Sequence, residues 1–117
     1  MSNVLVAVVG NTNRVETTGP LTTSRTAILP LNTASKANVV TSLGAVNETG
    51  SPVILTIEAS YDGGATFKKL WRQAVAANTT DPLNGLTLPL PLSNNAALYA
   101  TAASGSAITV SVGFVTQ

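Results

Sequence analysis

The chain has 117 residues, a formal net charge of +1, and neither cysteine nor histidine. That length suits one domain with a core large enough to stand without staples. The missing residue types exclude a disulfide framework, a thiolate metal site, and the commonest general base and transition-metal ligand.

Charged residues make up only 9% of the chain, against about 25% in ordinary soluble domains. A net charge of +1 gives no long-range field for nucleic acid or anionic lipid. The apolar runs are short, and none approaches the roughly 20 residues of a membrane-spanning helix. Hydrophobic residues reach 44%, which argues against disorder. The surface must therefore be built of Thr, Ser, Asn, Gln, Ala and Gly.

In chain order, residues 3–9 form a short apolar run without a basic leader, too short for a secretory signal. They read as a first strand, apolar on both faces, suited to an inner position or to cover by a neighbouring subunit. The expectation is a protein made in a cytoplasm and not exported by the general secretory route. Residues 10–24 are polar, dense in Asn and Thr, and broken at Gly19-Pro20. They read as a long loop or an extended arm with an interaction role. Residues 26–31 and 37–43 are the next strand candidates, and residues 47–52 a turn.

Residues 52–75 read as a long β-hairpin, the centre of the chain. Val53, Leu55, Ile57, Ala59 and Tyr61 alternate with more polar neighbours, the period of a strand with one buried face. Asp62-Gly63-Gly64 is the turn, since Gly tolerates positive φ and Asp bonds its own backbone. Phe67 and Leu70 cannot share a face under strict alternation, so a bulge near Lys68-Lys69 is expected to bring both to the core. Residues 76–85 read as a loop. Leu86, Leu88, Leu90 and Leu92 then alternate with Thr87, Pro89 and Pro91, which predicts an edge strand. Residues 98–102 and 108–115 complete the strands, with Ser104-Gly105-Ser106 as the turn between them. Ile108, Val110, Val112 and Phe114 are expected on one face. No segment carries a helical period. The predicted fold is one all-β domain over residues 1–117, an antiparallel β-sandwich or small jelly roll of about seven to nine strands. Residues 1–20 are a candidate N-terminal arm.

Ser60-Tyr61-Asp62-Gly63-Gly64-Ala65-Thr66-Phe67 fits the pattern Ser-x-Asp-x-Gly-x-Thr-aromatic. It resembles the Asp box of sialidases and other β-propeller glycan enzymes, with Phe67 where Trp is usual. In that family the motif is a structural hairpin turn. The resemblance implies that Asp62 accepts from turn amides, Thr66 braces it, and Phe67 pins the hairpin to the core. Propellers repeat the motif and this chain carries it once. It therefore implies a turn built by Ser60, Asp62, Gly63, Gly64, Thr66 and Phe67, and not a sialidase.

An apolar strand followed by Ser-x-Asp-Gly, an aromatic and Leu is also similar to a phrase in small β-sandwich virion proteins of tailed bacteriophages. The Thr/Ala/Asn-rich character, without Cys or His, fits that group. The resemblance implies a capsid decoration (cement) protein or a small tail or fibre protein, and decoration proteins of this kind are commonly trimers.

Four residues stand out as a docking candidate: Lys68, Lys69 and Arg72 beside Trp71. They read either as a patch for an acidic partner, or a cation–π site for a sugar or base, or as a solvated strand face with lysines guarding an edge. Glu58 and Asp62 are the only close carboxylates, but Asp62 belongs to its turn and Glu58 is expected to face solvent, which leaves no glycosidase pair. Asp81 offers one carboxylate where calcium wants several oxygens; nearby carbonyls and Asn78 or Asn84 could supply some, but the stretch reads as a flexible loop. Asn47-Glu48-Thr49 and Asn78-Thr79-Thr80 match the glycosylation pattern, but both are ordinary turn compositions. No base activates the serines, and no glycine-rich loop opens a helix. The expectation is no catalytic residue, no metal, no cofactor, no nucleic acid and no membrane.

Solitary β proteins guard their edges and stay soluble through mixed surface charge, and this chain does little of either. Neutral Thr- and Asn-rich faces pack against partners with few ions stripped of water. The expected role is a non-enzymatic virion protein, most specifically a phage capsid decoration protein. It would form a symmetric homo-oligomer, a trimer or another, and contact the major capsid protein or another virion protein. A carbohydrate-binding module or a tail- or fibre-associated adhesion protein is the alternative. It would need an exposed aromatic platform, whereas the few aromatics are expected to be mostly buried.

Overall fold

A computed structural model describes residues 12–29, 37–83, 85–93 and 95–116. Nine strands run in chain order: β1 (Thr12–Thr18), β2 (Thr26–Leu29), β3 (Asn38–Asn47), β4 (Val53–Ser60), β5 (Lys68–Val75), β6 (Thr79–Asp81), β7 (Leu90–Leu92), β8 (Ala97–Ala102) and β9 (Ile108–Thr116). They form two antiparallel sheets. The larger has the order β1-β9-β3-β6, with β7 also paired to β3, and the smaller has the order β2-β8-β4-β5. The chain is an all-β sandwich, and among the described residues it has no helix.

The core follows from the period of two. β4 turns Val53, Leu55, Ile57 and Ala59 inward, and β9 turns Ile108, Val110, Val112 and Phe114 inward; all eight are buried. β8 adds Leu98, Ala100 and Ala102, and β3 adds Val40, Leu43 and Ala45. Val40 and Leu43 are three apart and would face opposite sides of a regular strand. A register shift between Val40 and Ser42, opposite Phe114 and Gly113, absorbs Thr41 and restores the inward face.

A second bulge shapes the central hairpin. Ile57 pairs with Trp71 and Glu58 with Lys69, which leaves Leu70 as the extra residue. Trp71 is thereby turned inward and is only 5% exposed, while Leu70 packs half-buried against the same core. The bulge sits one position beyond Lys68-Lys69. It does not bring Phe67 inward.

Three connections differ from the sequence reading. Residues 12–18 are not a loop or free arm: β1 pairs with β9 along its whole length, from Thr12 opposite Thr116 to Thr18 opposite Val110. Its Thr-rich sequence alternates too weakly to show as a strand, and the pairing comes from β9. The loop after β5 holds the three-residue β6, which pairs with Ala45, Val46 and Asn47. Of the leucine–proline stretch only β7 is paired, and it lies on the same edge of β3 through Asn38, Val39 and Val40. Its alternation holds nonetheless: Leu92 is buried, Leu86, Leu88 and Leu90 pack against the core, and Pro89 and Pro91 are exposed. The apolar run at residues 3–9 lies outside the described residues.

Asn47 joins the two sheets. It is fully buried. Its Nδ2 donates to the Ser51 carbonyl at 2.9 Å and the Val75 carbonyl at 3.0 Å, and its Oδ1 accepts from the Thr49 amide at 2.9 Å and the Thr49 hydroxyl at 2.7 Å. Such saturation is what a buried amide requires. Asn47→Ala strips a donor from the buried Val75 carbonyl, while the exposed Ser51 carbonyl keeps the Thr49 hydroxyl at 3.1 Å, so the variant is expected to cost roughly 1–3 kcal/mol. Urea denaturation of the variant checks this, and a midpoint equal to wild type would contradict it.

Candidate functional site

The β4–β5 turn is built on one carboxylate. Asp62 Oδ1 accepts from the Thr66 amide at 2.9 Å, the Ala65 amide at 3.1 Å and the Ser60 hydroxyl at 2.9 Å, and Oδ2 accepts from the Thr66 hydroxyl at 2.6 Å. Ser60, fully buried, also takes the Gly64 amide at 2.8 Å. Gly63 and Gly64 supply φ of 76° and 94°, a conformation open to glycine. The hydroxyl and amide of Thr66, then Ser60, hold the Asp62 carboxyl at about 2, below its ordinary 3.8. Four bonds from within the turn make Asp62 its brace.

Phe67 does not enter the core. It meets Tyr99 edge-on, with centroids 5.0 Å apart, and the Arg25 guanidinium lies 3.7 Å above its ring. Arg25 also grips Glu58 with two bonds, Nε to Oε1 at 2.9 Å and Nη2 to Oε2 at 3.2 Å, the planar fork that suits a carboxylate. Glu58 is thus held by a cation and not left to solvent. Sequence reading missed Arg25, because 33 residues separate it from Glu58 and no local spacing marks a partner across strands.

The four-residue docking candidate divides. Trp71 faces the core opposite Ile57, so its ring offers nothing to a partner. Lys68, Lys69 and Arg72 are exposed on β5, which pairs only with β4. Lys69 stands beside Glu58, and Arg72 beside Thr56. Burial of the aromatics is also less complete than the sequence suggests. Trp71 and Phe114 are in the core, but Phe67 and Tyr99 are half-buried and Tyr61 is 47% exposed. Asp81 Oδ1 accepts from the Leu83 amide at 2.7 Å, which holds Leu83, buried at φ 56°, in a backbone region that bulky residues seldom adopt. Among the described residues no group of three or more acidic, Cys or His side chains gathers as a metal site.

The two outer surfaces of the sandwich differ in kind. On the smaller sheet lie Glu58, Lys69 and Arg72, with Arg25 reaching across. On the larger sheet the outward positions of β3 and β9 pair as Val39 with Val115, Ser42 with Gly113, Gly44 with Ser111, and Val46 with Thr109. β1 extends the rows with Val15 beside Gly113 and Thr17 beside Ser111. None of these residues carries a charge. Arg14 and Glu16 pair with Phe114 and Val112 and so point to the other side of β1. Glu48 follows the last paired residue of β3, Asn47.

No protein-family model matches the chain, and no curated protein sequence matches it significantly. Among solved structures it is similar to a protein of Bacillus endospore appendages, described as a novel family of disulfide-linked pili. The identity is 14% and the TM-score 0.49, over 91% of this chain and 83% of the other. It is also similar to two structures of a pentameric capsid protein isolated from metagenomic phage sequences. Their identities are 19% and 20% and their TM-scores 0.37 and 0.35, each over 92% of this chain. The chain spans 61% and 59% of those capsid chains. At these scores the functional reading rests on the chain's own residues.

The Asp62 turn gives a pH test. A depressed folded pKa contributes stability that is fully present above the unfolded value, near 4, and is lost as pH falls toward about 2. Thermal melts from pH 7 to pH 2 should show Asp62→Asn less stable than wild type at neutral pH, with the gap closing between pH 4 and 2. A gap that stays constant through that window would contradict the assignment.

Proposed function

We propose that this chain is a non-enzymatic structural subunit of a symmetric assembly, a phage virion protein, and more specifically a decoration protein that straps neighbouring capsid subunits. The observation that supports it is the surface: among the described residues every regular element is a strand, and the paired outward rows of β1, β9 and β3 carry no charge, Arg14 and Glu16 of β1 lying on the other side of that strand. Such a face invites other chains. The strand order is also that of two interleaved Greek keys, if β6 and β7 are taken as one interrupted strand. We read this as a jelly roll, an architecture that serves capsid and lectin domains alike. The fold therefore leaves both roles open, and the surface favours contact. Reinforcement would come from interface area that must be broken before subunits separate, about 800 Å² per partner in a standard contact.

The carbohydrate-binding alternative has one observation in its favour, the aromatics outside the core. Phe67, however, has Arg25 over its face and Tyr99 against it, so the one clearly exposed aromatic is Tyr61. A sugar platform needs a free ring face. The arm expected at residues 1–20 must end before Thr12, since β1 belongs to the sheet; residues 1–11 are the remaining candidate for strand addition to a neighbour.

Sedimentation velocity at micromolar concentration is expected to show an oligomer, and a monomer there would contradict the proposal. A major capsid reading frame beside this one would support the capsid role. Saturable binding to bacterial surface polysaccharide would favour the alternative.

A further inference from the structure

We infer that a second copy of this chain pairs with it edge to edge along β1, antiparallel, about a two-fold axis at Val15. The inference rests on the subunit reading above and names a contact for it. β1 ends the larger sheet, so one side of it has no strand partner among the described residues. Such an edge presents amides and carbonyls that another strand can take up. The other edges are poorer templates. β6 and β7 have three residues each, with Pro91 inside β7. β2 has four residues and a register shift, and β5 carries the bulge at Leu70 and the exposed cations Lys68, Lys69 and Arg72. β1 runs seven residues against β9 without a shift.

The sequence of β1, Thr-Asn-Arg-Val-Glu-Thr-Thr, complements itself when reversed. With the axis at Val15, the whole strand is paired. Arg14 then stands opposite the partner's Glu16, and Glu16 opposite the partner's Arg14. Opposed residues of an antiparallel pair share a face, close enough for opposite charges to attract. Both side chains are exposed, and neither has an ion pair among the described residues. Moving the axis one residue either way sets Arg14 against the partner's Arg14, or Glu16 against the partner's Glu16, and like charges repel there. The register that uses the whole strand is therefore the one that neutralises both charges. Charges on an edge ordinarily guard it; here they also select a register. By contrast, β5 paired with itself would bring cations together, and β1 paired with β5 of another copy would not close as a two-fold contact does.

An antiparallel pair of this length makes roughly six to eight main-chain hydrogen bonds, within the range of about 5–15 in a standard interface. The buried strip is narrower than such an interface. The contact is therefore modest on its own and suits a subunit that meets further neighbours in an assembly. The ladder supplies the affinity, and the exposed charges, which add little each, choose the register. Salt accordingly loosens the choice of register without dissolving the pair. An axis perpendicular to the sheet puts the uncharged outer faces of both copies on one side, with Val15, 70% exposed, at their join. The pair thus presents one neutral surface of double width.

The test is sedimentation equilibrium on the full chain at low ionic strength, where exposed charges are least screened. Arg14→Glu and Glu16→Arg each set like charges together twice in the pair, and each is expected to weaken self-association roughly tenfold. An equimolar mixture of these two variants opposes unlike charges again at both places. The mixture, and the double variant Arg14→Glu with Glu16→Arg, are expected to return to within about threefold of wild type. Far-ultraviolet circular dichroism confirms that each variant is folded. Single variants that associate as wild type does overturn this inference and leave the subunit reading standing. Weakening that the mixture or the double variant fails to restore likewise overturns it. A wild-type chain that stays monomeric overturns the subunit reading and this inference together.

Discussion

The pleat of the strand governs this molecule. Each strand has two faces, and a sandwich can bury only one face of each sheet in its shared core. What remains is two outer surfaces, whose chemistry is set by alternate residues of the same strands. Two of the three register shifts among the described strands enforce the division: one absorbs Thr41 so that Val40 and Leu43 both point inward, and the other absorbs Leu70 so that Trp71 does. Without them, half of β3 and half of β5 would present apolar side chains to water and polar ones to the core. The arrangement of the outer faces, neutral on one side and charged on the other, depends on that register.

How much of this was legible follows from the same rule. β4 and β9 were readable because Val53 to Ala59 and Ile108 to Phe114 alternate without interruption. The Asp62 turn was readable because its donors, Ser60, Ala65 and Thr66, lie within four residues of the acceptor. β1 was not: Thr, Asn and Glu carry no amphipathic signal, and the strand exists because β9 offers it a partner 94 residues away. Trp71 looked available for docking because it stands among Lys69 and Arg72, and only the bulge at Leu70 shows that its ring turns the other way. Phe67 was expected in the core from the Asp-box resemblance and a bulge near Lys68-Lys69, but it follows the turn on the outer side, where Arg25 and Tyr99 meet it. Neither neighbour can be found from local sequence.

The smaller sheet spends its charge on itself. Arg25 ties β2's leading edge to Glu58 on β4 and covers Phe67 at the start of β5, so one guanidinium bridges three segments of the chain. Exposed pairs contribute little to stability singly, but this one fixes where the hairpin turn sits against the sheet. Lys68, Lys69 and Arg72 stand exposed on the β5 edge, and Arg14 and Glu16 stand exposed on the β1 edge. Both edges therefore carry charge, and the uncharged surface is the paired outward rows of β1, β9 and β3.

The central claim is that this chain associates through uncharged surface, and salt separates that from its rival. Raising ionic strength from about 0.1 M to 1 M shortens the Debye length from about 10 Å to about 3 Å and screens contacts made by Lys68, Lys69 and Arg72. It leaves contacts between neutral faces intact. Molar mass from light scattering should stay constant, or rise, across that range at fixed protein concentration. A mass that falls to the monomer as salt is added would contradict the account.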